Sequence, residues 1–153
     1  MRPIIIIGAG GIVNDAHLPA YRIAGYKVAG IYDIDQQKAK ERAKKFSIPV
    51  VYDDMQNLLA RAPEGVVFDV AVPGRSMINV LQQLPGSSAV LLQKPMGHDY
   101  EEAKQILQIT REKKMIAAVN FQLRYAPYIL EARKIIQDEA FGTLCDIEIN
   151  VNV

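Results

Sequence analysis

The sequence holds a single cysteine, Cys145, among its 153 residues. That excludes an internal disulfide and a cysteine-rich zinc site, and no metal is expected. A reducing, cytoplasmic setting fits the same scarcity. An excess of one charge is missing too: 18 basic and 17 acidic residues leave a formal net charge of +1. The chain therefore lacks the electrostatic footprint of a nucleic-acid or acidic-membrane binder. Long hydrophobic runs are absent. The opening run Ile4-Ile5-Ile6-Ile7 is followed at once by glycines. A signal peptide needs roughly 7–15 apolar residues and a membrane helix about 20, so this run reads as a buried strand. No solenoid period and no low-complexity segment is present. What remains is ordinary for one globular domain, with 50% hydrophobic and 23% charged residues.

Residues 4–7 are β-branched and continuous, the pattern of a strand covered on both faces. A glycine-rich turn and a helix beginning near Gly11 follow. Pro19 predicts two short helical pieces with a joint before Ala20. Lys27 to Asp33 reads as a second strand, and Asp35 caps the polar helix QQKAKERAKKF. Val50-Val51-Tyr52 reads as a short strand, and Asp53-Asp54 precede the helix MQNLLARA. Gly65 opens the buried strand VVFDVAV, which ends at Pro73. Residues 75–84 are helical, and Ala89 to Leu92 form another apolar strand ending in Gln93-Lys94-Pro95. Asp99 caps a long amphipathic helix, Met115 to Phe121 is a further strand, and a last helix covers roughly Tyr128 to Gln137. Strand and helix alternate repeatedly, so βαβ units and an α/β, doubly wound parallel sheet are predicted. Such a sheet binds ligands at the carboxyl ends of its strands, where the strand order reverses.

The tail breaks this pattern. From Thr143, Ile147, Ile149, Val151 and Val153 alternate with Asp146, Glu148, Asn150 and Asn152. Period two belongs to a sheet with one wet face. One such strand cannot stand alone, so it is expected either to pair with another copy or to start a second, mostly missing α+β domain. The expected division is residues 1–122 for the sheet domain, and 123–153 for a linker helix and the first strand of the next.

Gly8-Ala9-Gly10-Gly11-Ile12-Val13 follows a strand and opens a helix. This is the layout for a dinucleotide. Gly8 permits a tight turn, Gly10 lets a pyrophosphate approach the backbone, and the helix terminus offers free N–H groups. Val13 stands where a third glycine or alanine is usual, which weakens the match. Asp33, 20 residues after Val13, strengthens it. A carboxylate at the end of the second strand can accept from both ribose hydroxyls of the adenosine half and would repel a 2′-phosphate. NAD is thus expected over NADP.

Gln93-Lys94-Pro95 also lies at a strand end, where proline fixes the chain, through a cis bond if one forms. Here the sequence resembles the glucose–fructose oxidoreductase/inositol dehydrogenase/MocA-like (Gfo/Idh/MocA) family. The stretches IIIIGAGGIVNDAHLPAY, VAGIYDID, DVAVPGR and LLQKPMG carry the resemblance, followed by NFQLRYAP and FGTL. It spans essentially the whole chain in order. It implies a Rossmann fold and an NAD(P)-dependent oxidoreductase. Hydride would move between the nicotinamide and a sugar, polyol or related hydroxy compound. By motif matching, Gly8, Gly10, Gly11, Ile12 and Val13 would meet the pyrophosphate, and Asp33 would hold the adenosine ribose. Val72 and Pro73 would pass beside the cofactor. Gln93 and Pro95 would flank it, and Lys94 would orient and polarise the reacting hydroxyl or carbonyl. Asn120 and Gln122 would lie near the nicotinamide side, and Arg124 is a weaker substrate contact.

There are departures from the family pattern. Gln93 replaces its common glutamate, and Arg75, Ser76 and Met77 occupy a stretch that often holds a histidine. The family's second domain, which supplies most substrate contacts and commonly an Asp and a His for proton transfer, has no counterpart here. His98 is expected to face solvent, and His17 to be structural or cofactor-adjacent. The alternative function is a dinucleotide-binding sensor or interaction module without chemistry. Any homo-oligomer would form through the tail strand, an edge that invites pairing.

Overall fold

A computed structural model describes residues 1–140 and 142–150. The chain divides into two compact units, Met1–Asn120 and Phe121–Val153.

The first unit is a five-stranded parallel sheet of β1 (Ile4–Ile7), β2 (Val28–Tyr32), β3 (Val67–Val70), β4 (Ala89–Leu92) and β5 (Ile116–Val119). Its order is β2-β1-β3-β4-β5. The expected strand at Val50–Tyr52 is reduced to one parallel bridge, Ile31 to Val51. Pro49 has no N–H to extend a ladder, and Asp54 already caps the next helix. Counting that bridge as a vestigial strand gives the order 3-2-1-4-5-6 of dinucleotide-binding sheets. The fold is Rossmann-like, and its order reverses between β1 and β3.

Both faces are covered. Ile5, Ile7, Phe68, Val70, Val90 and Leu92 point to one side. There they meet α3 (Met55–Arg61), α4 (Gly74–Gln83) and α5 (Tyr100–Glu112). Ile4, Ile6 and Ile31 point to the other and meet Val13, Leu18, Ala39 and Ala43. These come from the first helical segment and from α2 (Gln36–Phe46). Burial on both faces is why β1 is four consecutive isoleucines rather than an alternating strand. Asp35, Asp54 and Asp99 each accept a backbone N–H three residues on, capping α2, α3 and α5 as N-cap carboxylates do.

Two local expectations need correction. The joint expected before Ala20 is only a change of winding at His17/Leu18, not a break between two helical pieces. A π-helical turn, Val13–His17, runs directly into α1 (Leu18–Ile23). Pro19 sits in the first turn of α1, where its missing N–H costs nothing. The strand expected over Met115–Phe121 is only Ile116–Val119, and it lies at an edge with Ile116 exposed.

The second unit carries a 3-10 turn, Gln122–Tyr125, and α6 (Pro127–Gln137), which begins on a proline suited to that position. Residues 144–150 pair with no strand among the described residues. The alternating tail is therefore not a strand there, because period two describes a face and a ladder still needs a partner edge. The last part of that expectation, residues 151–153, lies outside the described residues. No helix among the described residues is long and apolar enough to cross a membrane.

Candidate functional site

The carboxyl ends of β1 and β3 flank the point where the strand order reverses, and a cleft of about 740 Å³ opens there. Gly8 ends β1 with φ +112°, and its N–H donates to the Tyr32 carbonyl at 2.7 Å. A Cβ at Gly8 would run into the Ala71 carbonyl beyond β3. Gly10 differs: a Cβ there would meet nothing within 4 Å, so the space above its backbone is open. The first helical bond runs from the Asn14 N–H to the Gly10 carbonyl. That leaves the four N–H groups from Gly10 to Val13 without intrahelical partners, an arrangement suited to phosphate oxygens. The Val13 side chain itself is fully buried in the core, so only its backbone can serve a phosphate. Ile12 and Gly11 are exposed beside it.

Asp33 lies just past β2, half-buried in the wall of the cleft. One carboxylate oxygen accepts the Ala9 N–H at 2.5 Å and the other accepts the Asp35 N–H at 2.7 Å. A carboxylate offers about four acceptor positions, so each oxygen keeps a lone pair for a ribose hydroxyl. The same bonds tie the end of β2 to the glycine turn. Asp35 pairs with Lys38 at 3.1 Å, and hydrogen bonds from Lys38 hold the Asp35 carboxyl below its ordinary range. Val72 and Pro73 line the opposite wall, with Arg75 at the start of α4. A dinucleotide fits these features: an open backbone at Gly10, free N–H groups and a pinned carboxylate at the next strand end.

The second cluster sits past β4. The Lys94-Pro95 bond is cis, and both side chains are exposed. Gln93 is buried, and its side-chain oxygen accepts the Lys94 N–H at 2.9 Å. Its amide nitrogen lies 3.3 Å from His17 Nε2, and the Asn120 amide nitrogen lies 3.2 Å from the same atom. On the far side of the ring, His17 Nδ1 is 2.7 Å from Asp69, whose same oxygen accepts the Tyr21 hydroxyl at 2.9 Å. Burial first, and the Asp69 charge second, push the Tyr21 hydroxyl well above its ordinary range, so it stays a donor.

The expected site residues thus separate into two groups. Gly8, Gly10, Gly11, Ile12, Val13, Asp33, Val72 and Pro73 gather around the cleft. Gln93, Lys94, Pro95 and Asn120 gather at the ends of β4 and β5. Gln122 and Arg124 belong to the second unit, in its 3-10 turn. His98 is exposed and 3.0 Å from an Arg75 guanidinium nitrogen. Asp69 and Tyr21 were not singled out from sequence. A signal for Asp69 existed: a carboxylate inside the apolar run VVFDVAV must find a buried donor.

Residues 2–121 match the model of an oxidoreductase family with an NAD-binding Rossmann fold. A curated relative, glucose-6-phosphate 3-dehydrogenase of Bacillus subtilis, is 33% identical over 153 residues, covering 98% of this chain and 42% of its own. The inositol 2-dehydrogenase/D-chiro-inositol 3-dehydrogenase of Lacticaseibacillus casei is 30% identical over 125 residues, covering 78% of this chain and 36% of its own. The chain thus spans about two fifths of the length of the curated relatives it matches. Among solved structures, an oxidoreductase from Thermotoga maritima superposes with a TM-score of 0.80 at 20% identity, over 92% of this chain and 44% of that one.

Proposed function

Because the chain belongs to this oxidoreductase family with its NAD-binding Rossmann fold, we propose that it is the cofactor-binding portion of an NAD(P)-dependent oxidoreductase acting on CH–OH groups. Hydride would move between the nicotinamide and a carbon of a sugar, polyol or related hydroxy compound. The sugar and inositol dehydrogenases among its relatives support that substrate class. The observation that carries the reading is Asp33, pinned at the end of β2 by the Ala9 N–H beside the open backbone of Gly10.

In this reading each residue has a task. The N–H groups of Gly10, Gly11, Ile12 and Val13 bind the pyrophosphate. Asp33 receives the adenosine ribose hydroxyls, and Val72 and Pro73 form the wall beside the cofactor. Gln93, Pro95, Asn120 and Gln122 serve the nicotinamide side. Lys94, an ammonium held at a strand end, orients and polarises the reacting hydroxyl or carbonyl. When bound, the dinucleotide supplies the hydride chemistry. The cofactor domain, expected over residues 1–122, corresponds to the unit Met1–Asn120, the remaining residues lead into a substrate domain, and the setting is cytoplasmic. Copies of the chain would associate through the alternating tail, which would become a strand only by pairing across them.

NAD is the preferred dinucleotide, because Asp33 repels a 2′-phosphate. Lys38 moderates this preference, since it lines the same cleft and offsets the charge of Asp35. Calorimetric titration of the 153-residue chain tests the reading. NAD should bind more tightly than NADP, and Asp33→Ala should weaken NAD roughly 30-fold, as expected for losing hydrogen bonds to a charged acceptor. An NAD affinity untouched by Asp33→Ala would refute it.

A further inference from the structure

Three strand ends and one helical turn meet at a single imidazole. Side chains alternate along a strand, so Asp69 on β3, Gln93 past β4 and Asn120 past β5 share the sheet face opposite Val70, Leu92 and Val119. The turn Val13–His17 lays His17 over that face, 5% exposed. Among the described residues, the ring's hydrogen-bond partners are Asp69 at Nδ1 and the Gln93 and Asn120 amides at Nε2, with Tyr21 reaching it through Asp69.

The hydrogen-bond directions leave one arrangement. Gln93 Oε1 accepts the Lys94 N–H, so the amide NH₂ of Gln93 must turn toward His17. A proton on Nε2 would then oppose N–H to N–H. Nε2 therefore accepts, and the ring's proton sits on Nδ1, donated to Asp69. Asp69 accepts the Tyr21 O–H on the same oxygen. The result is a directed relay. Asp69 orients His17, His17 orients the Gln93 amide, and Gln93 holds the main-chain N–H of Lys94.

We infer that His17 is a positioning residue, held as the neutral Nδ1–H tautomer, through which the buried Asp69 carboxylate sets the orientation of Gln93 and the Lys94-Pro95 corner. Its only proton faces a buried carboxylate, so it delivers none to a substrate. The inference takes its functional meaning from the cofactor-domain reading. Its measurement does not depend on that reading.

The test is nitrogen NMR of the ¹⁵N-histidine-labelled 153-residue chain without cofactor. The chain has two histidines, and His98→Gln assigns their signals. At about pH 8 His17 should show a protonated Nδ1 and an unprotonated Nε2. Gln93→Glu puts a carboxylate against Nε2 and should recruit a second proton, so both nitrogens become N–H. His17→Leu should speed hydrogen exchange of the Lys94 amide about tenfold, the scale of one lost hydrogen bond. His17→Gln, whose amide oxygen can accept where Nε2 does, should restore the protection.

A proton on Nε2 in the unmodified chain, or a ring unchanged by Gln93→Glu, overturns the inference. If His17→Leu fails to fold, the tautomer of the unmodified chain still decides. A wrong tautomer with NAD binding intact faults this inference alone. The right tautomer with no NAD binding faults only the cofactor reading.

Discussion

Gly10→Val should leave the fold intact and weaken NAD binding at least about 100-fold, or roughly 2.7 kcal/mol. The two effects separate because of where Gly10 lies. No atom lies within 4 Å of a Cβ built there, and its φ is outside the left-handed region. The folded chain therefore meets neither a clash nor backbone strain. The same emptiness is the space a pyrophosphate would need to reach the N–H groups of the turn. A valine fills it with two methyl groups. An unchanged thermal melt together with lost calorimetric heat is the expected pair of results. A valine variant that binds NAD normally would show that phosphate does not lie over this turn.

Gly8→Ala should do the opposite and damage the fold itself, by about 4 kcal/mol. Its φ of +112° lies where side chains are strained, and the added Cβ would collide with the Ala71 carbonyl. Neither partner can yield cheaply. Gly8 N–H is bonded to Tyr32 in β2, and Ala71 N–H is bonded to Ile7 in β1. The strain is thus locked between three adjacent strands, β2, β1 and β3. For a chain of this length, roughly 3 °C of melting temperature is lost per kcal/mol, so a fall of about 10–15 °C is expected. A calorimetric melt checks it, and a shift of only a degree or two would mean that the turn is more pliable than its bonds imply.

Comparing these two glycines shows what the sequence could convey. Both read as parts of one phosphate turn. Only the structure separates Gly8, required by the backbone, from Gly10, which the fold leaves free and the proposed cofactor would need. The strands were legible where burial on both faces left continuous apolar runs, as at Ile4–Ile7 and VVFDVAV. The helix starts were legible through the capping chemistry of Asp35, Asp54 and Asp99. Val50–Tyr52 was overread, because β-branched residues after a proline look like a strand whether or not a ladder can extend. The alternating tail pairs with no strand among the described residues, since a pattern specifies a face but not its partner.

At the site, Asp33 and the glycine turn were legible because spacing and strand context act together. Asp69 was not, because the apolar run around it marks a strand and carries no sign of which buried donor its carboxylate meets. The joining of His17, Gln93 and Asn120 was also hidden. It depends on register across β3, β4 and β5, which bring residues 52 and 103 positions from His17 onto one ring.

In the proposed function a dinucleotide lies across the carboxyl ends of β1, β2 and β3. Backbone amide shifts of the ¹⁵N-labelled chain, followed during NAD titration, test it most directly. The account predicts saturable shifts concentrated at Ala9 to Val13, at Asp33 to Asp35 and at Val72 to Ser76. Shifts gathered elsewhere in the sheet unit, or none at millimolar NAD in a chain with dispersed, folded spectra, would contradict it.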